Sequence, residues 1–483
     1  MSTHAATAVA VIALAAAAVP SAASGQSAAA PSRPTIDTLS LRSHVRFLSA
    51  DLLEGRAAGS RGEAIAREYL VAQLDRMGLQ GAGPGGSFLV PVPLQGIGPD
   101  PGRTKMTVRG DAGPRTIPSS AFHFQGRTTR AWRSFRGPIV PGGSMATALA
   151  TLKAAAGGLR GRVVVMTAAR GAPSDSIFAE LARAGAAGAV VVIPDSNLYT
   201  MLRHARGSSR VALDVASPPP GVRDFPTVVV GPATAQLLAE RGAEVAVELV
   251  ASRHSRPAWT IAARLPGTDS TAGAVAYMAH YDHVGFGRPV ANDSLYNGFV
   301  DNAGGAAMLL AIADAARATP RRRSMLFLFF TAEEEGSLGS ALWVADPANA
   351  AGRLTAAFNL DLPAPLGPSR EWLLEGADRS SLGALATRVG SANGWTIASA
   401  PALPNSDHWN FLARGVPTGF LVPGEDWEGI PPERRDSLIE RWWRPHRPDD
   451  VWDADYPLGG LRRMAEVALA LGEAAASDPA EQR

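Results

Sequence analysis

Cysteine is absent from this 483-residue chain. That excludes cysteine nucleophiles, disulfide frameworks and thiolate metal sites, so any metal would have to be held by His, Asp and Glu. It leaves the compartment open, because a large domain outside the cell can be stable without disulfides. Strong charge is also absent. The net charge is +2, and although the pI is near 9.1 the longest basic run is only Arg321-Arg322-Arg323. Nothing therefore points to nucleic acid or an anionic membrane as partner. No internal repeat is evident, and no segment after the amino terminus reads as a membrane span. What remains is an ordinary globular balance of 46% hydrophobic and 19% charged residues, in a chain long enough for two to four domains at roughly 100–200 residues each.

The start of the chain reads as a targeting segment. Ala5 to Val19 is small and apolar, followed by Pro20 and an Ala/Ser-rich stretch. This pattern predicts a secretory signal over residues 1–25 and an exported protein, periplasmic or extracellular. One feature departs from the pattern: no Lys or Arg precedes the apolar run, only His4. Residues 26–36 are Ser/Ala/Pro-rich and read as a linker. Leu39 to Leu79 reads as helical, with Gly78 as its stop.

From residue 80 to about 130, dense Gly and Pro between short apolar runs predict short strands. Strands over 162–167, 189–193 and 227–230 and a helix over 177–187 then complete a small mixed unit. It holds no clustered His and acidic residues, so no chemistry is expected there. From Trp259 the pattern becomes strand, loop, helix. Strands are expected at 274–279, 325–330, 356–360 and 418–422, with an apolar-faced helix at 303–316. The run Met325 to Phe330 is apolar throughout, as a strand covered on both faces should be. Alternation of this kind implies an α/β fold, a mostly parallel mixed sheet flanked by helices.

The metal-capable residues fall at the carboxyl ends of those strands. His280 and Asp282 follow 274–279, Glu333 and Glu334 follow 325–330, and Asp361 follows 356–360. That edge is where open α/β sheets bind ligands. Asp301 precedes the 303–316 helix, whose N-terminus favours a carboxylate. His408 lies in a loop before a further helical stretch. Successive gaps of 21, 32, 28 and 47 residues from His280 through Asp301, Glu333 and Asp361 to His408 allow consecutive strand–helix units each to deliver a ligand to one edge. Each motif alone is commonplace; the ordered set is what carries weight. A His/carboxylate set without thiols suits Zn²⁺, with Mn²⁺ or Co²⁺ as substitutes. It also exceeds what one catalytic zinc needs, which predicts two ions about 3.5–4 Å apart sharing a carboxylate.

The segments "MAHYDHVG", "DSLYNGFVDNAGGAAMLL", "LFFTAEEEGSLGS", "FNLDL" and "NSDHWNFLARGVPTGF" resemble the co-catalytic zinc aminopeptidase family that includes bacterial leucyl aminopeptidases, aminopeptidase Y and the glutamate carboxypeptidases. "LSADLLEGRAAGSRGEAIAREYLVAQLDRMGL" and "RPDDVWD" extend the likeness over most of the mature chain. "LRGRVVVMTAARG" and "LARAGAAGAVVVIPD" resemble the protease-associated domain often inserted in such enzymes. The resemblance implies a zinc-aminopeptidase-like α/β fold with an inserted small α+β domain at 97–255, between peptidase segments 37–96 and 256–483.

It also implies roles. His280 and Asp361 would bind one zinc, Glu334 and His408 the other, and Asp301 would bridge. Asp282 would hold the far ring nitrogen of His280, and Glu333 would be the general base for hydrolysis of peptide substrates. Three departures stand out: Leu-Pro-Ala-Pro after Asp361, Gly304 where Ser is common, and Trp259-Thr260-Ile261 in place of Asn-Val. The first is expected to reshape a loop near the pocket. Removal of amino-terminal residues is favoured on the resemblance alone. A carboxypeptidase using Arg414, Arg441 or Arg444, a one-zinc glutaminyl-cyclase-like acyltransferase and an inactive binding module are the alternatives.

Overall fold

The computed structural model describes residues 35–478 apart from 146–147, 149–157, 169–173, 197, 200–209, 241, 350–352 and 363–366. The expected signal segment, all but the last two residues of the linker, and the Pro-Ala-Pro part of the departure after Asp361 lie outside the described residues.

The main sheet has nine strands. Strands β1 (Gln80–Gly81) and β2 (Leu89–Val92) come before the long middle segment, and β3 (Ala258–Leu265), β4 (Ala274–His280), β5 (Ser324–Phe330), β6 (Leu354–Asn359), β7 (Glu371–Glu375), β8 (Thr396–Ala400) and β9 (Thr418–Pro423) follow it. The spatial order is β1-β3-β5-β4-β6-β9-β7-β8, with β2 also paired to β3. The central run β5-β4-β6-β9 is parallel, whereas β3 against β5 and β7 against β9 are antiparallel. The α/β fold with a mixed sheet flanked by helices is what the alternation of elements predicts, but the sheet is parallel mainly at its centre: the parallel pairs β5-β4, β4-β6, β6-β9 and β7-β8 are matched by the antiparallel pairs β1-β3, β2-β3, β3-β5 and β9-β7.

Burial on both faces explains the apolar strands. In β4, Val275, Tyr277 and Ala279 join one cluster while Ala274, Ala276 and Met278 join another; β5 divides the same way, Met325, Phe327 and Phe329 against Leu326, Leu328 and Phe330. Alternate side chains leave a strand on opposite faces, so each face needs its own helices. One face is covered by α1 (Thr38–Leu48), α2 (Arg61–Arg76), α3 (Gly304–Ala316), α5 (Leu382–Asn393) and α7 (Gly459–Ser477). The other packs against α4 (Leu338–Ala345) and α6 (His408–Leu412), through Trp343, Val344 and Phe411. Each fully buried large side chain contributes about 1.5–3 kcal/mol relative to exposure. One described helical stretch, Phe299–Ala316, is apolar and long enough to cross a membrane, but it is the buried core helix itself.

The helical region after residue 38 differs from expectation. Instead of one run to Leu79 there are α1 and α2, separated by a tight turn over Asp51–Arg56 in which Glu54, Gly55 and Arg56 all have positive φ. Packing forces the break: a Cβ on Gly55 would lie 2.2 Å from the Tyr296 carbonyl oxygen, so the turn is pressed onto the loop that leads to Asp301.

The middle segment builds sheets of its own. Strands Lys105–Gly110, Gly113–Pro118, Phe122–Phe124, Phe135–Ser144, Val163–Thr167, Gly188–Val192, Thr227–Val230 and Glu244–Glu248 form an eight-stranded sheet. Leu94–Pro99, Arg210–Leu213 and Ala251–Ser255 form a three-stranded one, where the chain leaves the main sheet and returns to it. From this segment Arg127 reaches the carboxyl edge of the main sheet, its Nη1 donating to the Gly336 carbonyl at 3.1 Å.

Candidate metal centre

His280 is the last residue of β4 and pairs with Phe330, the last residue of β5. Asp361 lies two residues beyond β6, and Glu333 and Glu334 lie in the turn after β5. Three neighbouring parallel strands thus deliver their ends to one edge. Asp301 reaches the same point from an irregular turn, Phe299–Ala303, immediately before α3. The Asp301–Asn302 peptide bond is cis.

The distances resolve into two groups that share Asp301. In the first, His280 Nε2 lies 3.1 Å from Asp361 Oδ1 and 3.2 Å from Asp301 Oδ1. In the second, His446 Nε2 lies 2.9 Å from Asp301 Oδ2 and 3.1 Å from Glu334 Oε1, and His283 Nδ1 lies 2.8 Å from that same Glu334 oxygen. Within each group one donor atom per residue lies within 4.8 Å of all the others. The structure therefore brings together His280, Asp301, Glu334 and Asp361 and adds His283 and His446.

His408 does not join them, which corrects the expectation drawn from Ser-Asp-His. It opens α6 rather than lying in a loop, is fully buried, and its ring lies 4.9 Å from that of Phe420. Burial pushes its imidazole down to about 4, the neutral state of a packed core ring. His446 takes the place expected of it. It sits at φ +56 in the loop after Pro432–Trp442, with 42% of its side chain exposed. A signal for it exists in the sequence, since His446 immediately precedes the "RPDDVWD" segment. Strand-end reasoning does not find it, because it follows no strand. His283 lies inside "MAHYDHVG", where His280 and Asp282 draw attention first.

The surrounding residues fix the donors. Ser406 Oγ donates to Asp361 Oδ2 at 2.6 Å and accepts from Asn359 Nδ2 at 2.9 Å, so the segment before α6 aims Asp361 although His408 does not join it. Ser406→Ala is expected to weaken metal binding about 10–100-fold, the usual cost of losing such an outer partner, and competition with a chromophoric chelator reads this directly. Asp282 is fully buried, and its carboxylate accepts from the Glu333 amide at 3.1 Å. Its Oδ1 lies 3.7 Å from His280 Nδ1, whose closer neighbour is the Asp282 carbonyl at 3.1 Å. Asp282 thus braces the Glu333–Glu334 turn at least as much as it holds His280.

The loop bearing Asp301 is clamped from two sides. Asp450 accepts from the amides of Val300 and Asp301, at 2.9 and 3.1 Å. Buried Arg56 donates to the carbonyls of Asn297 and Gly298 at 2.6 and 2.9 Å, to Tyr281 at 2.9 Å, and to Leu48. Backbone strain concentrates here too: Ala332, Leu362 and His446 all have positive φ. Such residues cost of order 1–3 kcal/mol each and persist where the surroundings over-determine them.

Electrostatics indicate a site built for cations. Burial opposes the charge on Asp301, yet His280, His283 and His446 outweigh it and hold the carboxyl well below its ordinary range. Burial likewise opposes the charge on His446, but Asp301 and Glu334 push it up to about 11. Three carboxylates and three imidazoles converge, all buried except His446, and the buried donor atoms Glu334 Oε1 and His283 Nδ1 make no hydrogen bond of proper geometry. The donor chemistry fits borderline divalent metal ions. Glu333 stands beside this set, half-buried, with Ser337 Oγ donating to its Oε1 at 3.1 Å. Burial raises its carboxyl well above the usual range. Arg441 and Arg444 are engaged with Asp453 and Asp449, at 3.2 and 3.5 Å, and Arg414 is exposed.

Residues 260–472 match the family described as Peptidase family M28. The chain carries a peptidase family M28 domain. The domain spans β3 to α7, and with it every residue of the two donor groups. Residues 260–472 are accordingly a peptidase domain. No curated protein matches it. Among solved structures, an aminopeptidase from Aneurinibacillus sp. strain AM-1 is similar at 18% identity and a TM-score of 0.56, over 93% of this chain and 96% of that one. A zinc aminopeptidase from Bacillus subtilis is similar at 18% identity and a TM-score of 0.51, over 92% and 97%. At such identities the likeness is one of fold. It extends through the middle segment as well as the M28 domain.

Proposed function

We propose that this M28 peptidase is a two-zinc aminopeptidase, with His280 and Asp361 holding one ion, Glu334 and His446 the other, Asp301 shared between them, and Glu333 as general base. The observation that carries the reading is Asp301 lying between two separate His/carboxylate groups with Glu333 beside both. The aminopeptidase activity of the Aneurinibacillus and Bacillus proteins, and the zinc of the latter, support the metal and the amino-terminal end.

When bound, the ions supply Lewis acidity to the scissile carbonyl and to the attacking water. The chain supplies the rest. Glu333 takes the water's proton at a carboxylate oxygen and returns it to the departing amine. Ser337 holds one oxygen of that carboxylate, leaving the other free to move the proton. Asp282, bonded to the Glu333 amide, fixes the turn from which Glu333 projects. Burial of the donor side chains keeps the field between charges strong.

The test uses the purified mature protein with paired free and N-acetylated peptides, with and without a chelator. Chelator-sensitive loss of single residues from free amino termini, with acetylated peptides intact, is expected. Loss from the carboxyl end of both would reassign it as a carboxypeptidase, and no cleavage in zinc-replete buffer would refute the reading. Export is part of the proposal. Amino-terminal sequencing of protein from the periplasm or medium should then find a new terminus near residue 25, and a cytoplasmic protein starting at Met1 would refute that part.

A further inference from the structure

The two donor groups are unequal. One holds three residues, His280, Asp301 and Asp361; the other holds four, His283, Asp301, Glu334 and His446. The surplus member is His283, to which the two-zinc proposal gives no role. Its side chain is fully buried. Its backbone amide donates to the Arg56 carbonyl at 3.1 Å, and its ring fills the space where a Cβ on Gly298 would meet Cδ2 at 2.5 Å. The ring is therefore locked in place.

Its Nδ1 lies 2.8 Å from Glu334 Oε1 and 3.9 Å from Asp301 Oδ1. The first distance is short enough for a hydrogen bond, yet the geometry is not that of one: neither His283 nitrogen nor Glu334 Oε1 makes a hydrogen bond of acceptable angle. A buried imidazole with both nitrogens unsatisfied is costly, and His408 shares that feature; what sets His283 apart is that its Nδ1 lies within the donor group of Asp301, Glu334 and His446. His446 Nε2 approaches the same Glu334 oxygen at 3.1 Å, and the two rings are 5.7 Å apart between centroids. Close donor atoms that do not point at one another, but crowd around a common point, have the relation of ligands in one coordination shell.

We infer that His283 is a metal ligand through Nδ1, so that the Glu334 side of the centre has four protein ligands and the His280 side three. This rests on the two-metal reading of the site. Four ligands complete the tetrahedron zinc prefers in closed sites, and three leave the open position of a catalytic one. The four-ligand ion is then bound first and more tightly, and the ion held by His280, Asp301 and Asp361 has the vacancy that substrate needs.

The experiment is zinc titration of the metal-stripped full-length mature protein against a chromophoric chelator, for wild type and His283→Gln, with zinc-edge X-ray absorption at one equivalent. Gln retains a hydrogen-bond donor but supplies no imidazole. Wild type should show a tight and a weaker site, and two imidazoles on the first zinc. In H283Q the tight site should weaken by more than the about 10–100-fold expected for losing an outer partner, while the weaker site is unchanged. One imidazole on the first zinc, or an unaltered tight site in folded H283Q, would overturn the assignment and leave the two-metal reading standing. A wild type that takes up no zinc would overturn both. The wild-type absorption spectrum decides the matter even where H283Q fails to fold.

Discussion

Glu333→Gln is expected to lower kcat by about 10²–10⁴-fold, the contribution general acid–base catalysis makes, while the protein keeps its full metal complement. The two halves of that expectation come from different observations. Glu333 belongs to neither donor group, so its loss removes no metal ligand. Its amide is anchored to Asp282 and its side chain to Ser337, and neither anchor depends on the carboxylate being charged. Gln keeps the shape and can still accept from Ser337, but it cannot take a proton. KM should change little, because Glu333 acts on the water and not on the parts of the peptide that bind. Metal analysis together with steady-state kinetics on a short peptide checks both halves. Turnover within tenfold of wild type would remove Glu333 from the base role, and loss of metal would make it a ligand.

The second large effect separates two histidines. His446→Ala is expected to lose tight binding of one metal ion and at least about 10²-fold in turnover, more than the cost of losing an outer partner to a ligand. His408→Ala should keep both metals. Its cost is one of packing: a buried ring beside Phe420 is replaced by a cavity, at roughly 2–4 kcal/mol of stability. Metal stoichiometry and a denaturation curve on each variant distinguish the two. Loss of metal from His408→Ala with retention in His446→Ala would reverse the assignment.

These two histidines mark the limit of what is legible in the sequence. The parallel core can be read from Ala274 to Ala279 and Met325 to Phe330, because a strand covered on both faces must be apolar at nearly every position. His280, Asp301, Glu334 and Asp361 can be found because they stand at strand ends or just before the core helix, where topology alone brings them to one edge. His446 obeys no such rule. It comes from an irregular loop and reaches Asp301 and Glu334 through a left-handed backbone conformation that composition does not reveal. Ser-Asp-His takes the ligand assignment from the family resemblance of its segment, but within that segment Ser406 orients Asp361 while His408 packs. The break between α1 and α2 is equally hidden, since it arises from a close approach to Tyr296, some 240 residues away in sequence.

A pair of ions sharing Asp301 underlies every role assigned to the site. Diffraction from crystals of the zinc-loaded protein, with data recorded on both sides of the zinc absorption edge, tests it most directly. Two anomalous peaks are expected about 3.5–4 Å apart, one beside His280 and Asp361 and the other beside Glu334 and His446, with Asp301 between them. A single peak at fully loaded stoichiometry, or two peaks without Asp301 between them, would contradict it.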